Sequence, residues 1–137
     1  MLHHPLISAV EHLQQEAVSV GMVNTLTPHD NIISSYRTHP FAVLRGGSVV
    51  GLIGELLGRQ CGISKGKGGS MHVFTHSFQG GHGIVGAQVP LGAGLAFAAK
   101  YQEKPVATYA MYGDGASNQG QVFESFNIVL GKRRTPS

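Results

Sequence analysis

Val106-Ala-Thr-Tyr-Ala-Met-Tyr112-Gly113-Asp114-Gly115-Ala116-Ser117-Asn118-Gln119-Gly120 decides the fold of this 137-residue chain. Val106 to Tyr112 predicts a buried strand, because β-branched and aromatic residues suit a covered, pleated surface. Gly113 and Gly115 let the backbone turn sharply and approach a ligand with no Cβ in the way. From Gln119 the apolar positions Val122, Phe123, Phe126, Val129 and Leu130 recur at helical spacing and predict one packed stripe. Asp114 therefore falls where a strand hands over to a helix, at the C-terminal edge of an α/β sheet. Ligands bind at that edge in open α/β folds, and a helix start there favours phosphate. One carboxylate beside a phosphate-accepting turn suits Mg²⁺, which takes few carboxylates and completes its shell with phosphate oxygens and water.

Working outward, the chain is long enough for one domain with a core. Only 12% of its residues are charged and 20 are glycine, which excludes a coiled coil and a disordered chain. No apolar run is long enough to span a bilayer. Met1-Leu2-His3-His4-Pro5 shows neither the basic flank and apolar core of a signal peptide nor the arginine-rich pattern of a transit peptide. The lone Cys61 has no partner for an internal disulfide and is expected as a semi-buried thiol in a reducing compartment. The net charge of +3 is accounted for by Lys132, Arg133 and Arg134. The other basic residues are dispersed and lack interleaved aromatics, so nucleic acid is not an expected partner.

Pro5 to Val20 predicts a first helix, with Leu6, Val10, Leu13 and Ala17 on one face and Gly21 as its close. Thr27-Pro28-His29-Asp30 predicts a turn, and Asn31 to Tyr36 a short strand leading into Arg37. Ser48 is a candidate cap for a second helix, with Val49, Leu52, Ile53 and Leu56 as its stripe and Gly58 as its stop. Cys61 to Gly86 shows no periodicity and is rich in glycine. Met71, Val73, Phe74, Phe78, Ile84 and Val85 would anchor it, which predicts an ordered, ligand-facing loop. His72, His76 and His82 lie in this irregular stretch with no cysteine or carboxylate close by in sequence, which does not fit a zinc site. Pro90 suits the first turn of a helix running to Tyr101. Its glycines and alanines keep that helix thin enough to lie close against a sheet.

Several segments in this order carry a longer pattern: Gln15-Glu16-Ala17, Ser35-Tyr36-Arg37-Thr38-His39, Gly58-Arg59-Gln60, Ser64 to His72, Gly80 to Gly94, and Tyr112-Gly113-Asp114-Gly115. Together they resemble the alpha subunits of the decarboxylating components of thiamine diphosphate-dependent 2-oxo acid dehydrogenases. The Lys65–His72 and Gly86–Gly94 segments look most like the pyruvate dehydrogenase type; acetoin and branched-chain 2-oxo acid types stay open as alternatives. The resemblance covers roughly residues 15 to 128. It implies an α/β fold, part of a doubly wound thiamine diphosphate-binding domain with a mainly parallel sheet, spanning 1–137 with an unrelated tail at 131–137.

Carried over by position, the resemblance implies that Tyr36 and Arg37 contact the cofactor near its diphosphate, where a guanidinium fork pairs well with phosphate. Gly83 and Val85 would offer main-chain groups to the aminopyrimidine ring. Asp114 would bind Mg²⁺, and Gly115 and Ala116 would line the diphosphate. The implied reaction is oxidative decarboxylation of pyruvate with acetyl transfer to a lipoyl group on the acyltransferase component. Cofactor chemistry carries the organic steps and the protein supplies placement and electrostatics. In the family the base-activating glutamate belongs to the beta subunit of a heterotetramer in the mitochondrial matrix, so no catalytic side chain is assigned here.

The departures are equally definite. In the family an Asn-Asn element one helix and one strand after Gly-Asp-Gly completes the magnesium site. Here Phe126-Asn127-Ile128-Val129-Leu130 leads into Gly131-Lys132-Arg133-Arg134-Thr135-Pro136-Ser137, unlike the family continuation. The region around His12 is shortened relative to the family. The expectation is a cofactor-binding part with no turnover of its own. The alternative is a truncated, non-catalytic product that only binds the beta subunit.

Overall fold

The computed structural model describes residues 15–131. The elements run α1 (Glu16–Thr25), β1 (Asn31–Ser34), α2 (His39–Leu44), α3 (Val49–Leu56), β2 (Phe78–Gly81), α4 (Gln88–Tyr101), β3 (Thr108–Ala110), α5 (Asp114–Ser117) and α6 (Gly120–Gly131). The three strands form one all-parallel sheet in the order β2-β1-β3. This is the expected α/β class. The predicted positions Leu6, Val10, Leu13 and His12, and the basic tail at 132–134, lie outside the described residues.

The central strand explains why helices lie on both faces. Successive side chains of a strand point to opposite sides, and Ile32 and Ile33 are both buried. Ile32 joins Phe41, Ala42, Leu52, Val73 and Phe78 in the core beneath α2 and α3. Ile33 faces α4, where a Cβ on Gly92 would come within 3.2 Å of its Cγ2 and 2.9 Å of the Ala110 Cβ. The thin helix predicted from its glycines and alanines thus packs directly on β1 and β3. It begins at Gln88, two residues before Pro90.

Helix α3 starts and stops as its sequence predicts. Ser48 Oγ accepts the Gly51 amide at 2.9 Å. At the other end Gly58 takes a φ of +65°, with its amide on Glu55 O at 3.0 Å and the Arg59 amide on Gly54 O at 2.8 Å. That crossed pair of bonds is a Schellman close.

Other expectations are corrected. Helix α1 does not end at Gly21 but runs to Thr25; a glycine weakens a helix without stopping it unless it turns left-handed, and Gly21 does not. Ala17, expected on its packed face, is exposed. The stripe expected to bury α3 does so only in part: Leu52 is buried and Leu56 half-buried, but Val49 and Ile53 are exposed, and the packed face is completed by Gly51, Gly54 and Glu55. A loop folded tightly over that face needs small residues, which apolar periodicity does not reveal. Phe78–Gly81 is a strand inside the stretch read as loop, hidden by glycines that are depleted in strands and by a register shift against β1. Strand β3 is shorter than Val106–Tyr112 and only half-buried, because it pairs on one side only. In α6, Val122 and Ser125 are buried while Phe123, Phe126, Val129 and Leu130 are exposed. Its packed face is narrow, with the Ser125 hydroxyl turned back onto Gln121 O at 2.6 Å. Cys61 is exposed rather than semi-buried.

Candidate functional site

Outside the carboxyl ends of β1 and β3 lies a cleft, the position where open α/β sheets take ligands. Its walls come from five places in the chain. Ser34 to Arg37 leave β1; Met111 to Ala116 leave β3; Val85 follows β2; Gln15, Val18 and Ser19 of α1 and Pro40 and Phe41 of α2 close the sides.

Each wall has a local cause. The turn after β1 is closed by the Ser34 hydroxyl, which donates to Arg37 O at 3.2 Å. It leaves Tyr36 exposed, with the Arg37 guanidinium 5.4 Å from the centre of its ring. That is a cation–π distance and holds the cation over an aromatic face. The wall after β3 is set by a residue that sequence reasoning missed. Gln88 is fully buried; its Oε1 accepts the Gly86 amide at 3.0 Å and its Nε2 donates to Met111 O at 2.9 Å. It thereby ties the loop after β2 to the residue that leads into Tyr112-Gly113-Asp114.

The hand-over at Asp114 differs from the one expected. Instead of one helix beginning near Gln119, a separate single turn, α5, starts at Asp114 itself, with Gly113 extended before it at φ −97° and ψ 179°. Asp114 and Gly115 are exposed and Ala116 is buried beneath them. The second helix begins only at Gly120. Gln121 Nε2 donates to Val85 O at 3.1 Å and to Gln119 Oε1 at 2.6 Å, joining α6 to the loop after β2. Gly86 must be glycine there: its φ is +94°, and a Cβ would strike the Gln119 and Gln121 side-chain amides.

Of the residues singled out in sequence, the cleft brings together Tyr36, Arg37, Val85, Asp114, Gly115 and Ala116. Gly83 is not among its lining residues and lies beside the His72 ring, 3.7 Å from where its Cβ would stand. Among the described residues the three loop histidines are not gathered with one another, or with acids or a cysteine, into a group of three that could hold a metal. His76 and His72 are exposed. His82 is half-buried, and desolvation holds its imidazole below the ordinary histidine range. Among the described residues no group of three or more His, Cys, Asp or Glu is arranged to hold a metal by itself.

Two buried carboxylates also escaped sequence reasoning. Asp30 accepts the Ala107 amide at 2.7 Å and the Thr27 amide and hydroxyl at 2.8 and 2.9 Å. Those backbone bonds, the Ala107 one foremost, hold its carboxyl below the ordinary range. Glu55 is the second. Burial alone would raise its pKa, but amides of Gly66, Gly68, Ser64 and Gly69 outweigh burial and lower it. Glu55 is not announced by any local pattern, because its partners are backbone amides brought in by the fold. For Asp30 the Thr27 bonds lie within the predicted turn, and the Ala107 bond is supplied by the fold.

A family model described as dehydrogenase E1 component matches residues 7–131. The chain belongs to that family. Similar relatives include the mitochondrial pyruvate dehydrogenase E1 component subunit alpha of Schizosaccharomyces pombe, 65% identical over 115 residues, which are 84% of this chain and 28% of that relative. The Saccharomyces cerevisiae protein of the same description is 60% identical over 115 residues, covering 84% of this chain and 27% of its own. The alpha-1 subunit of Oryza sativa subsp. japonica is 60% identical over 116 residues, 83% of this chain and 30% of its own. The chain thus spans less than a third of the length of these E1 relatives.

Proposed function

We propose that this chain is the thiamine diphosphate-binding part of a pyruvate dehydrogenase alpha subunit, with residues 1–137 forming part of that domain. The observation that carries this reading is the cleft itself. It joins an arginine held over a tyrosine on one wall to a Gly-Asp-Gly-Ala turn on the other, at the carboxyl ends of two adjacent parallel strands.

The donor set suits a magnesium diphosphate. Mg²⁺ takes one or two carboxylates and fills its octahedron with phosphate oxygens and water, and Asp114 is an exposed carboxylate on the cleft. Arg37 pairs with diphosphate oxygens, Tyr36 packs beside them, and Gly115 and Ala116 present backbone to the diphosphate. Val85, which lines the cleft, and Gly83, which does not, give main-chain groups to the aminopyrimidine in this reading. The bound cofactor supplies the carbon centre at which a 2-oxo acid is decarboxylated. This chain's residues bind and orient it. The beta subunit completes the site in a heterotetramer, pyruvate is the substrate, and the acetyl group passes to a lipoyl domain of the acyltransferase component. The relatives' names support a mitochondrial setting; a location in the matrix is what the family resemblance implies. Among the described residues no helix is long and apolar enough to cross a membrane.

Calorimetric titration with thiamine diphosphate, with and without Mg²⁺, tests the reading. Saturable binding that requires Mg²⁺ and is lost in Arg37→Ala is the expected result. A folded chain that takes up no cofactor at millimolar Mg²⁺ overturns it.

A further inference from the structure

Among the described residues, Glu55 is a charged side chain away from the cleft whose two oxygens accept four backbone amides, all from one loop. It is fully buried on the inner face of α3. Its Oε2 accepts the amides of Ser64 and Gly66, both at 2.8 Å, and its Oε1 those of Gly68 at 2.6 Å and Gly69 at 3.2 Å. Four amides from six consecutive residues converge on one carboxylate, the arrangement by which a backbone nest holds an anion. The loop has little freedom to move off it. Gly62 lies so close to Glu55 that a Cβ would come within 2.6 Å of the Glu55 Cα, and Gly66 holds a φ of +75° against Gly58 and Arg59.

The loop ends against the wall of the cleft. Ser70 O is bonded to His39 Nε2 at 2.7 Å and accepts the Thr38 hydroxyl at 3.4 Å, directly after Tyr36 and Arg37. The Ser64 hydroxyl donates to His72 O at 2.8 Å. Gly81 is wedged between Met71 O, Ser35 O and the Thr38 side chain, and the His82 amide donates to Ser35 O at 3.0 Å.

From this chain of contacts we infer that Glu55 is a positioning residue for the cofactor cleft: its carboxylate fixes the 64–70 loop, which in turn sets the Tyr36–Arg37 wall and the loop that runs from His82 to Val85. The inference deepens the proposed function and rests on it for the ligand. It assigns Glu55 no contact with the cofactor.

Glu55→Gln keeps the shape of the side chain but turns an amide donor toward backbone donors. Gly68→Ala attacks the same joint from the loop side, since a Cβ there would collide with His72 O. Amide hydrogen exchange of the 137-residue chain and both variants, at a temperature where all are folded, is the first measurement. Faster exchange is expected at 64–70, 36–39 and 82–85, with β1, β3 and α4 unchanged. Exchange that rises only at 64–70, or uniformly across the chain, overturns the inference whether or not cofactor binds. The second measurement is thiamine diphosphate affinity at saturating Mg²⁺, expected to weaken about tenfold, the scale of one charged hydrogen bond. Wild-type affinity in either variant overturns the inference and leaves the proposed function standing. Failure of the wild-type chain to bind contradicts the proposed function, and the exchange pattern then decides the positioning role alone.

Discussion

Glu55 and Asp114 are two carboxylates flanked by glycine-rich backbone, and they stand in opposite physical states. Glu55 is fully buried and its oxygens accept four amides from one loop. Asp114 is exposed at the first position of a single helical turn, on an open cleft. The first carboxylate is occupied by the protein, and the second faces outward to whatever enters. A buried anion that has its donors inside the chain contributes to stability, whereas an exposed one contributes little to it and is available to a cation. The same pair of ingredients, acid and glycine, therefore builds a joint in one place and a site in the other.

Breaking the joint has the largest expected effect. Glu55→Leu leaves four half-buried amides without their acceptor and lowers unfolding free energy by roughly 3 kcal/mol, at the lower end of the loss when one partner of a buried charged network is removed. Urea denaturation followed by circular dichroism reads this directly, and a loss below about 1 kcal/mol would show that the nest is dispensable.

Acid breaks the joint reversibly. Glu55 and Asp30 both have folded pKa values below their ordinary 4.5 and 3.8, so each contributes stability at neutral pH that is lost as pH falls through the folded value. His82 has the same sign, since its folded pKa is depressed below 6.5: the folded state prefers the neutral ring and is penalised as protonation sets in. Stability is thus expected to begin declining below about pH 6.5 and to fall more steeply below about pH 4.5. In Glu55→Gln the steeper limb is expected to flatten. Melting temperatures from pH 8 down to pH 3 check both limbs.

The smallest effect on stability belongs to Asp114. Asp114→Ala removes an exposed side chain and is expected to change unfolding free energy by no more than about 0.5 kcal/mol. The same variant is expected to lose Mg²⁺-dependent cofactor binding. A large stability loss on the same urea assay would mean that Asp114 is a structural residue, and the contrast with Glu55 would collapse.

What the sequence disclosed follows the same division. The Gly-Asp-Gly turn after an apolar run, the capped start and glycine stop of α3, and the thin α4 helix were all legible, because each depends on residues adjacent in the chain. Six of the singled-out residues meet in one cleft: Tyr36 and Arg37 follow β1, Asp114, Gly115 and Ala116 follow β3, and Val85 follows β2, the strand that the sequence did not disclose. Glu55, Gln88 and Asp30 were not legible. Their partners lie between two and 77 residues away and are mostly backbone groups, which any residue type can supply. The strand Phe78–Gly81 was hidden because glycines at close approaches, Gly80 to the Phe74 ring and Gly81 to Thr38 and Met71, erased its alternation. Helix faces misled in the opposite sense. Val49, Ile53, Phe123 and Phe126 have the right spacing for burial, yet of the two predicted stripes only Leu52 and Val122 are buried, and they share the packed faces with Gly54, Glu55 and Ser125, which the spacing did not indicate.

The most direct test replaces Mg²⁺ with Mn²⁺ and records the backbone amide spectrum of the chain with thiamine diphosphate present. Paramagnetic broadening reports where the metal sits. Broadening centred on Gly113–Ala116 and extending to Tyr36 and Arg37, with Ser64–Gly69 sharp, is the predicted result. Broadening centred on the Glu55 loop, or spread over the surface without dependence on thiamine diphosphate, would contradict the assignment of the cleft as the cofactor site.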